Sequence, residues 1–140
     1  MDKCLNLLGL ARKGGMAELG EEPVGAAARA LHAHLIFVAS DASDHTWRRA
    51  KSFAAGTNQQ CVRVPFTKDE IGLSIGRTSL AMGAITDPAL ALSFLKALPQ
   101  PQKNEEAMQV LEEKVQRVRK LQKEKKAHVR NVHRGRKKKV

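Results

Sequence analysis

The side chains best able to do chemistry with a partner are the lysines and arginines, and they are placed unevenly along this 140-residue chain. From Lys103 onward fourteen basic residues stand against five acidic ones, a net of +9, while residues 1–102 carry only +2. A near-neutral body with a cationic end suits a polyanion, because every phosphate that a Lys or Arg neutralises releases condensed counterions. Nucleic acid is the partner this asymmetry points to. Arg130, Arg134, Arg136, Lys137, Lys138 and Lys139 form the densest stretch, and smaller cationic groups stand at Arg12-Lys13, at Arg48-Arg49 and at Arg77, which the hydroxyls of Thr78 and Ser79 follow.

Other reactive side chains offer less. Cys4 and Cys61 are far apart and match no metal-ligand spacing, so both read as buried free thiols. His32, His34 and His45 have no Cys, Asp or Glu at ligand spacing on one helix face, which argues against a metal or acid–base site. No nucleophile, base and orienting group come together, so the chain reads as a non-enzyme without a cofactor. Four Phe, one Trp and no Tyr leave no row of stacking platforms for single strands. Trp47 itself reads as a core residue, with partial exposure beside Arg48 as the functional alternative.

The elements that would position these groups follow from apolar spacing. Cys4, Leu7, Leu8 and Ala11 fall at i, i+3, i+4 and i+7, the stripe of a helix that Gly14 and Gly15 end. An extended piece at 16–19 leads to a second helix from about Glu21, with Pro23 in its first turn and Val24, Ala27, Ala28 and Leu31 on one face. Residues 35–39 read as a strand buried on both faces. Ser40, Asp41 and Ser43 supply turn and cap chemistry for a helix over 44–55. A strand over 61–64 ends at Pro65, and Thr67 with Glu70 makes a capping box for a fourth helix. A strand over 80–85 precedes Asp87, which caps a helix carrying Ala91, Phe94, Leu95 and Leu98. The Gly72 and Gly76 pair in the fourth helix suggests close packing. Alternation of helix and strand through residue 98 predicts one layered α/β domain with a partly parallel sheet.

Pro99 and Pro101 mark a linker over 99–103. A charged amphipathic helix is expected over 104–127, acidic first and basic later, as the macrodipole favours. Its seam of Met108, Leu111, Val115 and Val118 is as suited to docking on the domain or a partner as to self-association. Residues 128–140 are expected to be a basic, disordered tail. The apolar stretch at 5–10 is too short for a signal-peptide core, and no run approaches a membrane span, so a soluble, cytoplasmic protein with no membrane partner is expected.

Three segments in order resemble the ribosomal-protein L-seven-Ae superfamily, most closely its small bacterial YlxQ-like members. They are Leu7-Leu8-Gly9-Leu10-Ala11-Arg12-Lys13-Gly14-Gly15 with Gly20-Glu21-Glu22, then Ile36-Phe37-Val38-Ala39-Ser40-Asp41-Ala42-Ser43, then Lys68-Asp69-Glu70-Ile71-Gly72 with Ile75-Gly76-Arg77 and Thr86-Asp87. The resemblance implies a three-layer α/β/α sandwich around a four-stranded mixed sheet, followed here by the C-terminal helix and basic tail. It implies binding of structured RNA, in many members a kink-turn, and ribosomal RNA is a natural candidate. The implied RNA surface comprises Gly20 to Gly25 with Gly20, Glu21 and Glu22 foremost, the region 41–49 with Arg48 and Arg49, and the loop Arg77, Thr78, Ser79, Leu80.

The kink-turn signature of that family reads Gly-Xaa-Asn-Glu-Xaa-Xaa-Lys, and this chain departs from it. Aligned on Gly20, the Asn position holds Glu22, the Glu position Pro23 and the Lys position Ala26. Together with Glu18 and Glu21, Glu22 sets carboxylates where phosphate would approach, and these repel it. The basic arm offers a compensating attraction. The rival expectation is a non-enzymatic protein-interaction adaptor, using this acidic patch and the helix over 104–122.

Overall fold

The computed structural model describes the backbone of residues 2–138 and the side chains of residues 2–126. At its centre lies β2 (Leu35–Val38), whose four residues are all buried, as a strand covered on both faces must be. It pairs in parallel with β3 (Gln60–Arg63) and antiparallel with β4 (Met82–Ile85), which pairs antiparallel with β1 (Ala17–Leu19). The sheet is therefore mixed, in the order β1-β4-β2-β3.

Helices cover both faces. α2 (Glu21–Arg29) and α3 (Asp44–Ala54) pack together on one side, and α1 (Lys3–Lys13), α5 (Pro88–Lys96) and α6 (Glu105–Lys138) on the other, with α4 (Lys68–Ser74) against α1. The result is the expected α/β/α sandwich. Phe37 and Phe94 meet beneath α5 with ring centroids 5.7 Å apart. That contact needs Gly83, Phe37's cross-strand partner, because a Cβ there would lie 2.4 Å from the Phe37 ring.

Side-chain caps start four helices, at Asp2, Ser43, Thr67 and Asp87, and Thr67 with Glu70 completes its capping box. Schellman turns end α1, α2 and α4. Gly15 and Gly76 occupy the left-handed position after α1 and α4, but after α2 the residue is Leu31 at φ 61°. There Leu31 N–H donates to the Ala28 carbonyl and His32 N–H to that of Ala27. These bonds, with Gln59 receiving the Ala33 N–H and donating to the Ala28 carbonyl, hold a conformation that costs a non-glycine residue roughly 1–2 kcal/mol.

Several boundaries differ from the sequence reading. β3 covers Gln60–Arg63, one residue earlier than expected. β4 begins at Met82, because Leu80 N–H is committed to the Lys68 carbonyl. The linker holds a 3-10 turn, Pro101–Asn104. α6 runs on to Lys138, through the stretch expected to be disordered from 128. The Arg and Lys of that stretch are good helix formers, and the docked segment has already met the cost of nucleation. Ala107, Leu111, Lys114 and Val115 are buried and Met108 half-buried against the body, so the seam docks. From residue 116 to 126 every side chain is exposed, Val118 and Leu121 included.

Candidate nucleic-acid interface

Strand register brings the C-terminal ends of β1, β2 and β3 and the start of β4 to one end of the sheet. The four connections there are laced together. Gly20 N–H donates to the Met82 carbonyl at 2.9 Å, Ala39 N–H to Ala81 at 2.9 Å, and Ser40 N–H to Phe66 at 2.8 Å. Lys68 N–H reaches the Asp41 carboxylate at 2.8 Å. This end is consequently a braced surface on which α2, α3 and α4 all begin, with the positive ends of their backbone dipoles. Ser43 and Thr67 cap α3 and α4. α2 starts at Gly20, φ 102°, which has no side chain to cap it. Pro23 has no N–H, so the amides of Glu21 and Glu22 are the ones α2 offers to an external acceptor.

Two groups of the sequence-identified residues gather here. Gly20, Glu21 and Glu22 open α2, and Glu21 forms an ion pair with Arg49 of α3. The Arg49 guanidinium also lies 5.4 Å from the centre of the Phe53 ring. Arg48 is exposed, with Nε donating to the Asp44 carbonyl at 3.4 Å. The second group is the exposed turn Arg77, Thr78, Ser79, pressed so closely on α4 that a Cβ at Gly72 would fall 2.6 Å from the Ser79 backbone. Arg12 lies beside Gly76 at the start of that turn, and Lys13 lines the same shallow groove between α1 and α4.

Arg130, Arg134, Arg136, Lys137 and Lys138 have their backbone in α6 but side chains outside the described residues, and Lys139 lies outside the described residues altogether.

Sequence reasoning missed a third cationic group. Trp47 is half-buried rather than core, with Lys51 Nζ 5.7 Å and the Arg63 guanidinium 5.1 Å from its ring. The i, i+4 spacing of Trp47 and Lys51 signalled one contact; Arg63 enters only through the parallel pairing of β3 with β2, on whose face α3 packs.

Elsewhere the reactive groups are quiet. Burial pushes the thiols of Cys4 and Cys61 up to about 12, Asp2 adding to the first and Lys51 opposing the second, so neither is a thiolate nucleophile near neutrality. Among the described residues no three His, Cys, Asp or Glu are grouped to hold a metal ion. No described helix is long and apolar enough to cross a membrane.

No protein-family model matches the chain. It is 34% identical over 83 residues to a protein named RNA-binding protein YlxQ from Enterococcus faecium, a match spanning 59% of this chain and 80% of that one. The chain belongs to the L-seven-Ae superfamily, as a YlxQ-like member. A solved structure of a Bacillus halodurans protein of unknown function superposes with TM-score 0.63 and 27% identity, covering 69% of this chain and 97% of that one. A Giardia lamblia 15.5kD RNA binding protein superposes with TM-score 0.58 at 16% identity over 74% of this chain and 85% of its own, a likeness of fold.

Proposed function

We propose that this chain binds structured RNA through the braced end of its sheet and acts without catalysis. One observation carries the reading: three helix N-termini and the cations Arg48, Arg49 and Arg77 stand at one rigid, hydrogen-bonded end of the sheet, and the Arg12 side chain reaches Gly76 at the edge of the turn that holds Arg77. Backbone amides and guanidinium groups both serve phosphate, and a braced surface presents them at little ordering cost. The relatives named for RNA binding support the same reading.

The mode is recognition of shape. Glu22, Pro23 and Ala26 stand where the kink-turn signature has its base-reading Asn and Glu and its Lys, so this surface lacks the Asn and Glu pair that addresses base edges. Phosphate contacts then position the domain without reading sequence. Folded ribosomal RNA is the proposed target class, and the C-terminal arm adds attraction that needs no fixed geometry.

The test replaces Arg12, Arg48 and Arg77 with Gln in the full chain and measures binding to a kink-turn RNA and a plain duplex of equal length. The slope of log affinity against log salt should flatten by about 2, since each phosphate contact contributes roughly 0.7–0.9. Thermal stability should stay within about 0.5 kcal/mol, as for other exposed substitutions. Unchanged binding to both RNAs would refute the assignment. A folded chain that binds neither would favour the protein-adaptor reading.

A further inference from the structure

α6 has a direction, and it carries the arm away from the surface just described. Its approach lies beside the loop end of the sheet, where Lys103 and Asn104 share a recess with Arg63 and Pro65 after β3. One residue further on Glu105, with Glu106 and Ala107, lies along Gln60, Cys61 and Val62. By Lys114 the helix has reached His34, just before β2, with Nζ 3.2 Å from Nδ1. β2 and β3 are parallel, and Leu35 pairs with Gln60, so His34 stands at the opposite end of the sheet from the loops. Ten residues of helix rise about 15 Å, which matches the length of a four-residue strand. α6 thus runs antiparallel to β3 and leaves the body at the far end.

Beyond Val115 the helix continues to Lys138, about 35 Å further at 1.5 Å per residue. Arg119, Lys120, Lys123 and Lys126, all exposed, fall within an arc of about 120° on its surface. Arg119 follows Val115 by one turn and Lys126 by three, so the arc borders the line of the Leu111 and Val115 seam and prolongs it past the body. Among the described residues the Glu21–Arg49 contact is the ion pair found, so the stripe's charge is not neutralised within the fold. Like charges held this close repel one another in the free chain, and a polyanion relieves that repulsion.

Resting on the RNA-binding reading above, we infer that the chain is a bridge: the loop end of the sheet takes one RNA segment, and the α6 stripe takes a second RNA segment on the opposite side of the body. A single short RNA element cannot lie against both surfaces, because the sheet and the docked half of α6 stand between them. The attraction the arm adds therefore falls on a second RNA segment, not on the segment held at the loop end. Within one large folded RNA, the same geometry would hold two helices a body's width apart.

The experiment immobilises a biotinylated hairpin RNA, adds the full chain at low salt, and follows capture of a separate fluorescein-labelled RNA duplex. Sedimentation reports the state of the protein. The expected result is capture by a monomeric chain, approaching two RNAs per chain. In the full-length variant R119Q/K120Q/K123Q/K126Q the hairpin should still bind while capture of the second RNA falls at least ten-fold. Helicity and melting of that variant should match the parent. Saturation at one RNA per chain, with the hairpin and duplex competing, would overturn the bridge and leave the RNA-binding reading intact. Capture only by a protein dimer would overturn it as well. Failure to bind either RNA would overturn the underlying reading together with the bridge.

Discussion

Replacing Glu21 with Gln should tighten RNA binding, although it removes an ion pair. Glu21 occupies the first helical position of α2, beside uncapped Gly20, and its carboxylate holds Arg49. The two side chains are 45% and 53% exposed, so the pair contributes no more than about 1 kcal/mol to stability. Loss of an acidic group in the first turn costs a further ~0.3–1 kcal/mol, and Glu22 remains to offset part of it. The melting temperature should therefore fall by only a few degrees. A phosphate about 6 Å from that carboxylate is repelled by roughly 0.7 kcal/mol in water before screening. Removing the repulsion and freeing Arg49 together should amount to about 1 kcal/mol, or roughly five-fold in affinity at low salt. Fluorescence anisotropy with labelled duplex RNA, between about 50 and 200 mM salt, should show a slope steeper by roughly 0.7–0.9, the share of one new phosphate contact. A folded variant that binds RNA equally or more weakly, with an unchanged slope, would refute the placing of phosphate at the start of α2.

Gly72→Ala should destabilise the chain by about 1–3 kcal/mol in urea, because the new methyl meets Ser79 and Thr78 backbone rather than a movable side chain. RNA binding should weaken with it through the displaced turn at 77–79. A chain stopped after Gln116 should keep its fold. One stopped after Leu98 uncovers the surface that Ala107, Leu111 and Val115 bury, and should lose roughly 3–5 kcal/mol in the same assay. His34 gives a pH dependence: burial first, then Lys114 and His32, hold its imidazole below the usual 6.5, with Asp87 opposing. The unfolded chain then takes up that proton first, so stability is full above 6.5 and falls as pH drops toward the folded value. Denaturation midpoints measured from about pH 8 to 5 should show this fall, and His34→Gln should flatten it.

Much of the body could be read from local chemistry. The i, i+3, i+4 spacing of Cys4, Leu7, Leu8 and Ala11, the unbroken apolar run at 35–39, and the caps Ser43, Thr67 and Asp87 all state their structure within a few residues. The sheet order could not be read this way, because β1 and β4 are neighbours in space with sixty-odd residues between them in sequence. Leu31 in a left-handed turn has no sequence mark; the distant Gln59 side chain helps to hold it. The gathering of 20–22, 41–49 and 77–80 came from family resemblance, and the fold shows how it is achieved, through bonds such as Gly20 to Met82 and Lys68 to Asp41. The Glu21–Arg49 pair joins two helices through one rotamer choice each, which spacing does not encode. Composition gave the arm its charge but neither its helical form nor its direction, both of which follow from the docking of Leu111, Lys114 and Val115.

Amide chemical shifts followed by NMR as a short structured RNA is added to the full chain test the proposed surface most directly. The amides of Gly20 to Glu22, Asp41 to Arg49 and Gly76 to Ala81 should move together and saturate together, while those of Ala33, Gln59 and Thr86 at the far end of the sheet stay in place. Movement confined to α6, or to the exposed edge of β3, would contradict the account.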